Sequence, residues 1–134
     1  MKGDKIFLDS NILIYLLEQD RERRDLVLGF SNKGYHISTQ VISENINACL
    51  KKLKMTKEDS FEHGDYLFNS FNLHLIAETT IRLAFKISIR YKYSYWDSLI
   101  IAAAIENNCN TLYSEDMQHN QLIYDNLRIL NPFL

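Results

Sequence analysis

Five short apolar segments are separated by longer stretches with helical periodicity, and this alternation constrains the fold most. The segments are 5–8 (KIFL), 35–38 (YHIS), 73–77 (LHLIA), 111–114 (TLYS) and 127–130 (LRIL). Strands that alternate with helices are typical of α/β proteins, and short strands without a polar face suit a parallel sheet that is buried on both sides. The sequence therefore predicts an α/β fold with a mainly parallel sheet of about five short strands.

Six helices are predicted between these strands, most of them from start signals. Ser, Thr and Asn are preferred caps at helix N-termini. We predict helices from Ser10 to about Leu17, over 25–32, over 41–53 after a cap at Ser38 or Thr39, from Thr56 to about Ser70, over 78–91, and from Ser94 to about Asn107. A further short helical turn is predicted over 120–124.

Length and composition predict one globular domain over residues 1–134. The chain is 46% hydrophobic and 24% charged, which is typical of a folded protein with its own core. No apolar run is long enough to cross a bilayer or to act as a signal peptide, so we expect a cytoplasmic protein with no membrane partner. Cys49 and Cys109 have no metal-ligating neighbours at a usual spacing and are expected to be reduced thiols. The net charge of −2 excludes only binding to nucleic acid through bulk basicity.

Four of the seventeen acidic residues have apolar neighbours: Asp9, Glu44, Asp97 and Asp116. Asp9 directly follows the first predicted strand, and Asp116 lies two residues beyond the fourth. Glu44 and Asp97 fall in the first turns of predicted helices. An ionised carboxylate beside core residues is unfavourable unless something pairs with it, and no lysine or arginine is adjacent to any of the four in sequence.

These four acids predict a metal site if they meet at the carboxyl ends of the strands, where open parallel sheets bind ligands. Carboxylates gathered there would raise one another's pKa, and a hard divalent cation such as Mg²⁺ or Mn²⁺ would relieve the repulsion. Each acid alone has a simpler interpretation. Asp9 could cap a helix, Asp97 could interact with the helix dipole, and the other two could be ordinary surface acids.

The same residues resemble the four motifs of PIN-domain nucleases, in the family's order and over nearly the whole chain. Asp9-Ser10-Asn11 is similar to the first motif and Ser43-Glu44 to the second. The segment 95–100 (YWDSLI) resembles the third, and 112–117 (LYSEDM) resembles the fourth, in which Ser or Thr stands two positions before Asp. Among single-domain proteins of this size, the chain most closely resembles the VapC-like toxins of toxin–antitoxin pairs.

This resemblance implies a three-layer α/β/α sandwich and a Mg²⁺- or Mn²⁺-dependent endoribonuclease. It also implies a homodimer and an antitoxin partner that blocks the site. All four acids would be catalytic, with Asp9, Asp97 and Asp116 as metal ligands and Glu44 acting through water. Asn11 and Ser114 match positions that support the site by hydrogen bonding. Glu115, beside Asp116, departs from the pattern and is expected to be supporting or exposed.

RNA would also need basic contacts, and the fifth predicted helix offers a stripe of them. Arg82, Lys86 and Arg90 recur every four residues, and Lys92 extends the row. Tyrosines at 91, 93 and 95 could stack on unpaired bases. A solvated helix face explains the stripe equally well. His119, three residues after Asp116, is expected to be a bystander.

Two other functions remain open at this point. An Asp after a strand also occurs in phosphohydrolases that act on small molecules and form an aspartyl-phosphate. The second carboxylate usual there is replaced by Asn11, which counts against that class. The other alternative is a PIN-like module that keeps its acids but acts only by binding protein.

Overall fold

The computed structural model describes residues 4–134, which form a single six-stranded sheet with helices around it. The sheet order is β3-β2-β1-β4-β6-β5, and every neighbouring pair is parallel except β5 and β6. The predicted α/β class with a mainly parallel sheet is therefore confirmed. In chain order the elements are β1 Ile6–Leu8, α1 Ser10–Leu13, a 3-10 turn Ile14–Leu17, α2 Arg21–Leu28, β2 His36–Ser38, α3 Thr39–Lys51, α4 Lys57–Ser70, β3 Asn72–His74, α5 Glu78–Tyr91, α6 Tyr95–Glu106, β4 Thr111–Tyr113, β5 Leu122–Ile123 and β6 Leu127–Leu130.

The strand order places the helices in two layers. From β1 the chain moves outward to β2 and β3, then returns to the other side of β1 to form β4. Because crossovers between parallel strands are right-handed, α1–α4 lie on one face of the sheet and α5 and α6 on the other. The packing agrees, since α3 packs on α4, α5 packs on α6, and β2 contacts both α3 and α6. The arrangement is the predicted α/β/α sandwich.

Polar caps begin several helices where the sequence predicts them. The side chains of Ser38, Thr56 and Ser94 each accept a hydrogen bond from a backbone N–H three residues on, at the starts of α3, α4 and α6. Helix α2 begins four residues before its predicted start, because the Asp20 carboxylate accepts a hydrogen bond from the Arg23 N–H and caps it there.

The helical turn predicted over 120–124 is wrong, because this segment forms a β-hairpin. Leu122 and Ile123 of β5 pair antiparallel with β6. Tyr124 and Asp125 have φ angles of 49° and 58°, and the Asn126 N–H donates to the Ile123 carbonyl at 3.0 Å. Positive φ at both central residues is the geometry of a type I′ turn and excludes a right-handed helix.

The core lies on both faces of the sheet, as expected for parallel strands. Phe7, Ile37, Leu112 and Ile129 are completely buried, and helix α6 is buried from residue 98 to residue 104. Cys49 and Cys109 are buried free thiols. Within the part of the chain that the structure describes, no helix is both long and apolar enough to span a membrane.

Candidate active site

The carboxyl ends of β1 and β4 form the crevice where the strand order reverses. The strand that follows β1 in the chain, β2, lies next to it on one edge, and β4 lies next to it on the other. Asp9 follows β1 and Ser114 follows β4, and the Asp9 N–H donates to the Tyr113 carbonyl at 3.0 Å. Open α/β sheets bind ligands at such a position.

Asp9 is the most buried of the four acids, with 4% of its surface exposed. Its carboxylate accepts hydrogen bonds from the Ser10 N–H at 2.7 Å, the Ser114 hydroxyl at 2.9 Å and the Asn11 amide at 3.4 Å. The first of these bonds caps α1, so the helix-cap interpretation is correct. A capping role alone does not require a carboxylate to be buried, since caps usually lie at the surface.

Asp9 and Asp97 lie close enough to the other acids for the charges of those acids to raise their pKa values. Burial raises the pKa of Asp9 to about 7; hydrogen bonds oppose this rise, and the charges of Glu44 and Asp97 add to it. The pKa of Asp97 is also raised, first by burial and then by the charges of Asp116 and Glu44. The structure therefore brings Asp9, Glu44, Asp97 and Asp116 into one cluster, with the mutual repulsion expected of gathered carboxylates.

Glu44 is held by two side chains that the sequence did not predict as its partners. The Ser10 hydroxyl donates to one carboxylate oxygen at 2.7 Å, and the Gln40 amide donates to the other at 3.1 Å. The same amide donates to the Trp96 carbonyl at 3.0 Å. Glu44 is thus tied both to the residue after Asp9 and to the first turn of α6.

Ser114 explains the Ser-x-Asp spacing of the fourth motif. Its hydroxyl donates to Asp9 and accepts a hydrogen bond from the Asp116 N–H at 3.3 Å. The Asn11 side-chain oxygen accepts a hydrogen bond from the Glu115 N–H at 3.2 Å. Both predicted supporting residues therefore fix the loop after β4. Asp116 itself is exposed.

Glu115 is directed away from the cluster by two partners. The Tyr15 hydroxyl donates to it at 2.8 Å, and the Arg23 guanidinium at 2.7 Å. Arg23 also lies over the Phe133 ring, 4.7 Å from its centroid. The charge of Glu115 is thus compensated outside the cluster. Because Arg23 is ninety-two residues away along the chain, no local sequence signal could have predicted this pair.

Asn45 and His63 form a buried pair that hydrogen bonds to the backbone of Ser10, beside the acid cluster. The Asn45 amide donates to the backbone carbonyls of Ser10 and Val41, both at 3.2 Å. Its oxygen faces His63 Nε2 at 2.9 Å, so this nitrogen must carry the proton. Burial lowers the pKa of His63, which favours the neutral ring. This buried network fixes Ser10, which contacts both Asp9 and Glu44.

The predicted basic stripe is exposed but does not lie wholly beside the acids. Its members are Arg82, Lys86, Arg90 and Lys92. Thr80, in the first turn of α5, hydrogen bonds to Glu106 at the end of α6. Arg82 is therefore at the opposite end of α6 from Asp97, and it pairs with Glu78 at 2.7 Å.

Arg90 and Lys92 lie at the end of α5 that leads directly into α6. The Arg90 guanidinium packs over the rings of Tyr91 and Tyr124, at 5.3 Å and 5.0 Å. The hydroxyls of Tyr91 and Tyr93 accept backbone hydrogen bonds from the segment 118–124, which ties them into the fold. His119 is exposed, and its Nδ1 accepts a hydrogen bond from the Asn131 N–H at 2.9 Å.

The four acids fit a divalent cation by chemistry and charge. They present only oxygen atoms, which hard ions prefer. None of the ion pairs formed within residues 4–134 involves any of them. Across the same residues, no three His, Cys, Asp or Glu side chains stand close enough together to hold one ion in this arrangement.

Similarity to known structures supports this fold. A toxin–antitoxin complex from Klebsiella pneumoniae has a chain 19% identical to this one, with a TM-score of 0.72 over 96% of this chain and 98% of that one. VapBC-1 from nontypeable Haemophilus influenzae is 21% identical, with a TM-score of 0.69 over 94% of this chain and 96% of that one. Mycobacterium tuberculosis VapC20, a toxin that cleaves the sarcin–ricin loop, is 14% identical, with a TM-score of 0.69 over 84% of this chain and 90% of that one. At these identities the likeness shows the fold alone.

The family follows from the sequence itself. No curated protein is similar enough in sequence to count as a relative. The model of the PIN domain, however, matches residues 6–122. This match includes all four motifs and confirms their resemblance to those of PIN domains. The chain therefore belongs to the PIN domain family.

Proposed function

We propose that this chain is a Mg²⁺- or Mn²⁺-dependent endoribonuclease and the toxin of a toxin–antitoxin pair. The observation that carries the proposal is the cluster of four carboxylates at the switch point of the sheet. In that cluster the pKa of Asp9 is raised to about 7, and no cation from the described residues neutralises the charge. A carboxylate whose pKa is raised mainly by burial, and further by neighbouring acids, is typical of a functional site.

Asp9, Asp97 and Asp116 would hold the ion directly, and Glu44 would act through water. The ion, when bound, supplies a lowered pKa for water and neutralises charge that develops on the phosphate. The chain supplies orientation. Hydrogen bonds from Ser10 and Ser114 fix the Asp9 carboxylate in the crevice.

RNA and antitoxin are proposed as partners because of the structural neighbours. One is a toxin that cleaves the sarcin–ricin loop, and another was solved as a toxin–antitoxin complex. Arg90 and Lys92, at the end of α5 next to α6, are the stripe members best placed to contact RNA phosphates near Asp97. A homodimer and a cytoplasmic location remain predictions.

The decisive experiment is cleavage of single-stranded RNA by the wild type, Asp9→Asn and Asp97→Asn, with Mn²⁺, with Mg²⁺ and with EDTA. We expect cleavage only with metal. Each variant should lose about a hundredfold or more, since even partners of metal ligands cost 10–100-fold when removed. Glu115→Gln is the matched control, because it removes a neighbouring carboxylate outside the cluster. Undiminished cleavage by folded variants would exclude the assignment, and hydrolysis of an aryl phosphate without RNA cleavage would favour a phosphohydrolase.

A further inference from the structure

Trp96 is a large aromatic residue at the site for which neither folding nor metal binding accounts. It precedes Asp97 in the first turn of α6, and 63% of its surface is exposed. Its ring meets that of Tyr95 edge to face at 5.1 Å. Its backbone carbonyl accepts a hydrogen bond from Gln40, which fixes this turn relative to Glu44.

An open cavity of about 380 Å³ lies beside this ring. Trp96, Ile76 and Leu99 form apolar walls, and Gln40, Ser43 and Glu44 contribute polar ones. Because Glu44 lines the cavity and also belongs to the acid cluster, the cavity borders the proposed catalytic site. Apolar walls with a few polar groups are typical of a site for a flat organic group.

Gln40 adds an independent sign of a ligand. The side chain is 9% exposed, and its amide nitrogen faces two acceptors, Glu44 and the Trp96 carbonyl. This arrangement settles which end of the amide is nitrogen. The remaining atom, Oε1, is buried and has no hydrogen-bond partner among residues 4–134. An unpaired buried acceptor is unfavourable, so a donor from a ligand that displaces its covering atoms would stabilise it.

We propose that the cavity binds an unpaired nucleobase of the RNA strand, next to the phosphate that is cleaved. The base stacks on Trp96, and its exocyclic amino group donates to Gln40 Oε1. This inference rests on the proposed function, because it assumes an RNA strand at the acid cluster. Cytosine presents an amino group where uracil presents a carbonyl oxygen, so the site favours cytosine over uracil. The unpaired buried acceptor on Gln40 favours a base, which carries a hydrogen-bond donor, over an apolar protein surface.

Binding is tested in EDTA, so that the result does not depend on cleavage. Trp96 is the only tryptophan in the chain, and its fluorescence therefore reports this position alone. We expect the oligoribonucleotides C8 and U8 to quench it, with C8 binding about three- to tenfold more tightly, as one hydrogen bond would give. Gln40→Met should bring the ratio of the two dissociation constants close to one.

Variants of the ring are measured by anisotropy of the same oligonucleotides carrying a 5′ label. Trp96→Ala should weaken binding on the order of tenfold to a hundredfold, as loss of one stacked base does, and Trp96→Phe should retain most of it. Phe68→Ala is the control, since Phe68 is an exposed aromatic residue on α4, 48% exposed.

Four results would overturn the proposal. Equal binding by Trp96→Ala and the wild type would exclude stacking, and equal affinity for C8 and U8 in the wild type would exclude the contact with Gln40. A blue shift of the Trp96 emission when the protein alone is concentrated would assign this face to a second copy of the chain. Quenching by C8 without metal-dependent cleavage would refute the proposed function but keep the nucleobase site. Cleavage without quenching would refute the nucleobase site but keep the proposed function.

Discussion

The Ser114 hydroxyl donates a hydrogen bond of 2.9 Å to the buried carboxylate of Asp9 and so joins the ends of the two central strands. The same hydroxyl accepts a hydrogen bond from the Asp116 N–H. One small side chain therefore orients two acids that are 107 positions apart in the sequence. The bond also lowers the pKa of Asp9, against the larger effect of burial.

Ser114→Ala should destabilise the protein most where Asp9 is ionised. A hydrogen bond to a charged group contributes about 1.5–3 kcal/mol, and one to a neutral group contributes about 1 kcal/mol. We expect the larger loss at pH 8 and the smaller at pH 5, measured by urea unfolding in EDTA. Ser43→Ala, at an exposed position, is the control. An equal loss at both pH values would mean that this bond does not sense the charge of Asp9.

Asp9→Asn should stabilise the metal-free protein at neutral pH. The pKa of Asp9 is about 7 in the fold against 3.8 for a free side chain. Between these values the folded state holds a proton that the unfolded state has lost, so this group's contribution to stability falls as pH rises. Asp9→Asn has no ionisable group at this position, so it does not lose stability in this way as pH rises. Its advantage over the wild type should grow from near zero at pH 4 to a few kcal/mol, at most about 4, at pH 8.

The measurement is the free energy of unfolding of both proteins across that range, in EDTA. Taking the difference between them cancels the titration of the other carboxylates. An advantage that stays constant with pH, or a variant that is less stable at pH 8, would contradict a raised pKa for Asp9.

The sequence was sufficient to place Asp9, because it directly follows an apolar run with the pattern of a buried strand. The supporting position of Ser114 was implied by the resemblance to the PIN-domain motifs. Helix starts at Ser38, Thr56 and Ser94 were equally predictable, since capping depends on residues a few positions apart. The hairpin formed by β5 and β6 could not be predicted. Its turn requires positive φ at Tyr124 and Asp125, residues that carry no glycine signal for such a conformation.

The partners of the acids could not be predicted either. Ser10 meets Glu44 across 34 positions, and Arg23 meets Glu115 across 92. Such pairs depend on how helices pack on the sheet, and neither hydrophobic periodicity nor local charge carries that information. Glu115 was expected to support the site or to be exposed; it is partly exposed and paired with Arg23 outside the cluster, and this pair was not predicted.

Adjacent acids in the fourth motif should respond differently to Mn²⁺. A ligand that binds only the folded state at 100 times its Kd adds about 2.7 kcal/mol of stability, which raises Tm. We expect Mn²⁺ to raise the Tm of the wild type and of Glu115→Gln, because Glu115 is already paired with Arg23. Asp116→Asn and Asp97→Asn should lose most of the rise. If Glu115→Gln loses it and Asp116→Asn keeps it, the two acids have been assigned in the wrong order.

The pair formed by Asn45 and His63 should affect metal binding without touching the acids. Asn45→Ala leaves the Ser10 carbonyl and the buried His63 Nε2 without their partner, which costs about 1–3 kcal/mol of stability. Because Ser10 contacts both Asp9 and Glu44, its displacement should also weaken Mn²⁺ binding about tenfold, as loss of an indirect support does. Calorimetric titration with Mn²⁺ measures this effect, with Asn47→Ala as the exposed control on the same helix. A variant that is destabilised but binds Mn²⁺ with unchanged affinity would show that the network maintains the fold and does not position the site.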